Sequence, residues 1–290
     1  MIESYLVHLL ILVGIYIILG LSLQLTIGYT GLLNLGHVAF YSIGAYTSAL
    51  LVVNGMPFFV GILAAGIIAM ASGFLLSIPI KKIKAEYLAL ATLGFAFVVH
   101  SIAVNWNKLT NGPLGISGIP SPTIFGLSLS NNTYFLVFVI IIAFATYLII
   151  NKLVDSPFGK VLESIRDNET ASKSLGKNTA KVKAISLGAS AFFAGIAGSL
   201  YAHYISYIDP SSFTIMQLIP IISIVIIGGL ASIRGTILAS FLIVLLPEPL
   251  RFIGFPSSIV GPARQIMYAL ILLVILIFKP KGFYGKVKLG

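Results

Sequence analysis

Residues 151–183 read NKLVDSPFGKVLESIRDNETASKSLGKNTAKVK, the only long run of the chain in which charge outweighs apolar side chains. Lys152, Lys160, Arg166, Lys173, Lys177, Lys181 and Lys183 stand there against Asp155, Glu163, Asp167 and Glu169. The bias of Lys and Arg towards the inner side of a membrane makes this a cytoplasmic segment. Pro157 and Gly159 punctuate its start; Val161, Leu162, Ile165, Ala171 and Leu175 then fall near helical spacing, with Gly176 as a stop. One or two short amphipathic helices are expected. Two readings stay open for them, a solvated loop and a docking surface.

Outward from this stretch the chain is apolar. Of 290 residues 58% are hydrophobic and only 9% charged, and the mean hydropathy is +1.05. A soluble protein of this length could not cover so much apolar surface, so the class is all-α, a polytopic transmembrane helix bundle. Runs long enough to span a bilayer fall at about 5–27, 36–53, 59–80, 87–104, 133–150, 184–206, 215–228, 236–250 and 263–278. That makes about nine spans, within a range of eight to ten, in one transmembrane domain over residues 1–290. Lys81, Lys82 and Lys84, with Lys279, Lys281, Lys286 and Lys288 in the tail, anchor their ends inside. Alternation then puts the amino terminus outside, leaving only Lys108, Arg251 and Arg264 on that side. MIESYLVHLL lacks a basic region before its apolar run and reads as a retained first span. The net charge of +10 sits at membrane flanks, which fits topology and anionic lipid instead of nucleic acid.

Between the first two spans, LTIGYTGLLNLGHVAFYSIGAYTSALL carries Gly28, Gly31 and Gly36 in an otherwise continuous apolar pattern. This predicts a broken or re-entrant helix, which survives at membrane depth only where protein buries it or a water-filled cavity hydrates it. Packing by small residues, lining of a pathway and a flexible loop are the competing readings. Under the pathway reading Thr30 caps a helix beginning at Gly31, and Asn34 offers an amide to a carboxylate. Later, the sixth span carries Gly188, Ala191, Ala194, Gly195 and Gly198, two offset small-xxx-small pairs that allow close helix approach. GGLASIRG, with Gly228, Gly229 and Gly235, joins the seventh and eighth spans in the same glycine-punctuated manner. The segment 105–132 is rich in Gly, Pro, Ser and Asn and reads as an external loop, with Trp106 as an interfacial anchor.

Chemistry is sparse. Glu248, near the external end of the eighth span, and Arg264, at the external start of the ninth, are the only Asp, Glu, Lys or Arg inside the nine spans. A proton-coupled carrier needs a group in the bilayer that gains and loses the coupled proton, so that class is disfavoured. There is no cysteine, the histidines have no metal-binding spacing, and no phosphate-cradling loop is present. No cofactor, metal site or catalytic group is expected. If transport is the task of such a bundle, its energy must enter from another subunit or from an ion gradient. Sodium coupling through backbone carbonyls and a plain membrane scaffold are the alternatives.

SPFGKVLESIRDNETASKSLG, with AFFAGIAGSLYAHYISYIDPSSF, IIGGLASIRGTILASFLIVLLPEPLR and GLLNLGHVAFYSIGAYT, resembles the permease subunits of branched-chain amino acid ABC importers. YLALATLGFAFVVHSIAVNW with LTNGPLGISGIP is similar to the LivM-like branch of that family. The resemblance covers about residues 20–280. It implies a multi-pass permease of a prokaryotic inner membrane, not an enzyme, with leucine, isoleucine or valine as cargo, although similar permeases serve urea and short amides. It further implies a second homologous permease (LivH-like), two cytoplasmic ATPase subunits and an external substrate-binding protein. The importer loop signature is EAA, three residues, then Gly; Thr170, Ala171, Ser172 and Gly176 occupy that spacing, with Thr170 in place of Glu. On this resemblance Phe158, Leu162 and Ile165 anchor an ATPase, Arg166, Asp167 and Glu169 orient it, and Gly159 and Gly176, flanking Ala171, give tight entry and exit.

Overall fold

The structure, a computed structural model, describes residues 2–80, 85–124, 127–252 and 257–285. Helix α1 (Ile2–Gln24) continues into a π-helical turn, Leu25–Tyr29, and α2 (His37–Val53) follows after a non-helical stretch. Then come α3 (Phe58–Ile80), α4 (Ala85–Asn105), the short α5 (Asn107–Thr110) and α6 (Asn132–Asp155). The polar stretch forms α7 (Pro157–Asp167) and α8 (Glu169–Ser174), and the longest helix, α9 (Thr179–Ile205), comes next. The chain ends through α10 (Leu218–Gly228), α11 (Ile233–Leu245), the single turn α12 (Pro249–Phe252) and α13 (Ser257–Phe278). Among the described residues six helices are long and apolar enough to cross a membrane, and three shorter apolar ones cover 37–53, 215–228 and 233–245. These nine segments are the nine apolar runs of the sequence, so the polytopic all-α class holds.

Boundaries differ where a cap or a proline decides them. Helix α9 starts five residues ahead of the expected 184 because the Asn178 side chain accepts a hydrogen bond from the Lys181 N–H at 3.0 Å. The same device opens α6 through Asn131, α7 through Ser156, α8 through Asn168 and α11 through Ser232. The eighth span stops at Leu245 and not at 250, since Pro247 and Pro249 cannot continue its hydrogen-bond ladder. Lys81, Lys82, Lys84, Lys286 and Lys288, which the topology argument used, lie outside the described residues.

Helix α9 is the central post, packed most extensively on α3 and α2 and also on α1. Its small residues make that approach possible. A Cβ at Gly195 would lie 2.5 Å from the Ala65 carbonyl oxygen, and one at Gly198 would lie 2.1 Å from that of Tyr41. On α1 a continuous apolar surface (Ile11, Ile15, Ile18, Leu19, Leu23) is buried against α6, α9, α10 and α11. At the end of the bundle bearing the amino terminus, Glu248 accepts hydrogen bonds from Tyr5 and, at 3.1 Å, from Arg264. The described residues of the loop between α4 and α6 lie there. Strand β1 (Ile116–Ser117) pairs antiparallel with β4 (Tyr207–Ile208), and β2 (Thr123–Ile124) pairs with β3 (Leu127–Ser128). His203 donates from Nδ1 to the Pro120 carbonyl at 3.0 Å and so ties this loop to the central post.

Candidate functional site

At the opposite end of the bundle, the break after α1 gathers five other elements. A helix that stops inside a bundle leaves its last carbonyls without intrahelical partners, and each must be satisfied by something else. The Leu25 carbonyl accepts from the Thr30 hydroxyl at 2.7 Å and from Ser186 of α9 at 3.3 Å. The Thr26 carbonyl accepts from the Leu32 N–H at 2.9 Å. The Gly28 carbonyl accepts from Nη1 of Arg166, on α7, at 3.0 Å. A cation at a helix carboxyl end is also favoured by the helix dipole.

Beyond Tyr29 the chain runs non-helically to Gly36, where α2 begins. Gly31 has φ +72°, open to glycine at little cost, and a Cβ there would press on Arg166 at 3.0 Å. Side chains then alternate in facing: Leu32 and Asn34 are buried while Gly31 and Leu33 are exposed. Thr92 of α4 holds this segment by accepting from the Leu35 N–H at 3.0 Å, and its own backbone lies against Gly36. His37 is fully buried and its Nε2 lies 3.0 Å from the Ser22 hydroxyl. Ser22 donates to the Leu19 carbonyl at 2.8 Å, so Nε2–H must be the donor to it, and Nδ1 is left as a bare acceptor. Among the described residues Nδ1 of His37, Nδ2 of Asn34 and Oε1 of Gln24 have no hydrogen-bond partner.

The second glycine segment closes the same junction. Gln24 donates from Nε2 to the Gly229 carbonyl at 2.7 Å, and a Cβ at Gly28 would meet the Ala231 nitrogen at 2.8 Å. Gly228 and Gly235 bring α10 and α11 into backbone contact. After α13 the chain returns here: Phe283 N–H bonds to Ile227 and Tyr284 N–H to Gly228, at 2.8 and 3.1 Å.

The polar stretch is seated on this junction by its apolar face. Leu162 and Ile165 are buried, Phe158 is half-buried against the core, and a Cβ at Gly159 would strike the Val154 carbonyl. These residues bind α7 to its own chain, so the anchoring surface expected of Leu162 and Ile165 is not offered to a partner. Arg166 likewise spends its guanidinium on Gly28 and, at 2.9 Å, on Asp167. Glu169 pairs with Lys183 at 2.5 Å and Lys173 at 3.1 Å and accepts from Thr179 at 3.1 Å, which fastens α8 to the start of α9. Burial pushes its carboxyl up, but the hydrogen bonds from Lys183, Lys173 and Thr179 outweigh that and hold it below the usual range. What α8 exposes is its tip: Thr170, Ala171, Lys173, Gly176 with φ +75°, and Leu175 at 78% exposure.

One further expectation is corrected. Thr30 caps no helix beginning at Gly31, because the chain is non-helical to Gly36; its hydroxyl turns back to Leu25 and Ser186. Asn34 forms the turn ahead of α2, its Oδ1 accepting from the Gly36 N–H at 3.1 Å, while its Nδ2 keeps no partner. Gly188, Ala191, Ala194, Gly195 and Gly198 all lie on α9, and Gly188, Gly195 and Gly198 meet α2 and α3 of the same chain. Gln24, Thr92, Ser186 and Ser190 take part in the junction without having been singled out. Their signal was present, since each is a polar side chain inside a long apolar helix.

The sequence matches the family described as "Branched-chain amino acid transport system / permease component" over residues 5–278. It is 35% identical to the protein named high-affinity branched-chain amino acid transport system permease protein LivM of Salmonella typhimurium, over 92% of this chain and 67% of that one. The Escherichia coli protein of the same name gives the same identity and coverage. A probable LivM permease of Methanocaldococcus jannaschii is 26% identical over 93% of this chain and 90% of its own. No solved structure matches. A family match over nearly the whole bundle, on a chain of nine apolar helical segments, makes this a multi-pass membrane protein that belongs to the family of branched-chain amino acid transport permease components.

Proposed function

We propose that this chain is one permease domain of an ATP-driven ABC importer that moves leucine, isoleucine and valine into the cytoplasm. The observation that carries the reading is the 35% identity, over 92% of the chain, to proteins named as high-affinity branched-chain amino acid permeases. The chain works beside a second, homologous permease, two cytoplasmic ATPases and an external binding protein, which supply the energy and the capture that it lacks. The α7–α8 segment receives the ATPase. Its exposed tip, Thr170 to Gly176, makes the contact, while Phe158, Leu162 and Ile165 hold it rigidly to the bundle. The helix break from Gly28 to Gly36 lies beside the substrate path, where irregular backbone at membrane depth needs protein or water around it.

Reconstitution of the complete transporter with labelled leucine, isoleucine and valine tests this. Uptake should require ATP and persist with sodium and proton gradients collapsed. Uptake driven by sodium without ATP, or import of urea and short amides alone, would refute it.

A further inference from the structure

One face of the bundle cannot be a lipid face. His37 sits level with Ser22, about two turns before the π-helical continuation of α1 ends at Tyr29, so the non-helical segment 30–36 climbs roughly 10 Å into the bundle. Along it Gly31 and Leu33 are exposed, Leu33 at 45%. Lipid offers no hydrogen bonds to irregular backbone, so this stretch must be covered by protein or bathed by an aqueous lumen that protein encloses. Leu35 of the same stretch opens onto a cavity of about 520 Å³ whose other walls include Leu93 and Phe97 of α4, Ile219 of α10 and Ala269 of α13.

The helices flanking that cavity carry the same mark. Gly94 faces outward on α4 with nothing within 4 Å of where its Cβ would be, one turn from the exposed Phe97 and Val98. Gln265, an exposed amide, and the equally open Gly261 stand one and two turns ahead of Ala269 on one stripe of α13. An outward Gln and bare glycines are unfavourable towards acyl chains and favourable towards a closely packed helix. A groove of about 450 Å³ elsewhere on the bundle, between α1, α6 and α11, gives the contrast: Leu10, Ile140 and Phe144 line it, with regular helix throughout.

We infer that the face formed by the 31–35 segment, α4, α10 and α13 seats the second permease subunit, and that the exposed unwound segment lines the aqueous path between the two. The inference rests on the importer reading above. It places the path directly over Arg166, whose guanidinium holds the Gly28 carbonyl from the ATPase side.

The test uses the assembled transporter and exploits the absence of cysteine from this chain. Leu33→Cys, Phe97→Cys and Gln265→Cys, each labelled with a thiol-reactive benzophenone, report on the proposed face; Ile140→Cys and Phe144→Cys report on the other. All five side chains are exposed in the single chain, so folding should tolerate the changes. The cysteine-free chain gives the background. Photolysis should yield an adduct with the second permease from positions 33, 97 and 265, at least tenfold more than from 140 and 144. Adducts mainly from 140 and 144, or none from 33 and 97 in an intact complex, would overturn the assignment while leaving the importer reading standing. A chain that purifies with no second permease would overturn both.

Discussion

Arg166 changes meaning between sequence and structure. As one charge in a basic loop it reads as a handle for a partner, yet its guanidinium is satisfied within the chain by the Gly28 carbonyl and Asp167. A hydrogen bond to a charged group contributes about 1.5–3 kcal/mol, and this one joins α7 to the broken helix. Arg166→Ala is therefore expected to leave assembly and ATP hydrolysis in place but lower amino acid uptake per ATP several-fold, with partial recovery in Arg166→Lys. Simultaneous measurement of both rates in proteoliposomes decides it; an unchanged ratio would assign Arg166 to mere packing. Glu169 gives a pH signature. Its carboxyl lies below the ordinary 4.5, so its pairs with Lys183 and Lys173 stabilise fully above that value and fade as pH falls through the lowered one. The unfolding temperature of wild type should thus exceed that of Glu169→Gln at pH 7 by a small margin that closes as acidification carries the pH through the lowered pKa. The margin is small because a partly exposed pair is worth on the order of 1 kcal/mol or less.

At the scale of the element, α7 and α8 divide labour along the stretch from which the fold was read. The amphipathic spacing of Leu162 and Ile165 was legible in the sequence, but periodicity says only that a helix has an apolar face and not which surface receives it. Here the receiver is the chain's own core, so Leu162→Asp should cost on the order of 3 kcal/mol and reduce the amount of folded protein. Leu175→Asp, at the exposed tip, should express normally and instead weaken ATPase association. Membrane yield and co-purified ATPase distinguish the two; equal loss of yield in both would mean that α8 too is structural. The glycine break shows the same division. Its existence followed from Gly28, Gly31 and Gly36, whereas the start of α2 at His37 was set by Asn34, Thr92 and Ser22 reaching in from three directions.

For the whole molecule the decisive feature is α9, whose small residues let α2 and α3 approach to backbone contact. Gly195→Val has no room beside Ala65 and should lower the thermal stability of the purified transporter, by about 1–3 kcal/mol if neighbours can shift and more if they cannot. Retention of wild-type stability would place slack where the packing has none. The sequence alone determined that the chain is a nine-segment helical membrane protein with one polar loop and one broken helix. Hydropathy, charge bias and glycine act locally, and bilayer thickness converts them directly into spans. Tertiary structure alone decided that Arg166 holds Gly28, that residues 24–36 meet residues 228–235, and that the small-residue face of α9 is consumed within the chain. Those are pairings between residues up to some 200 positions apart, and no local pattern encodes them, because in a bundle of uniformly apolar helices nearly every face is equally greasy. Partner choice then falls to shape and to the few polar and glycine positions, which act only once the helices have met.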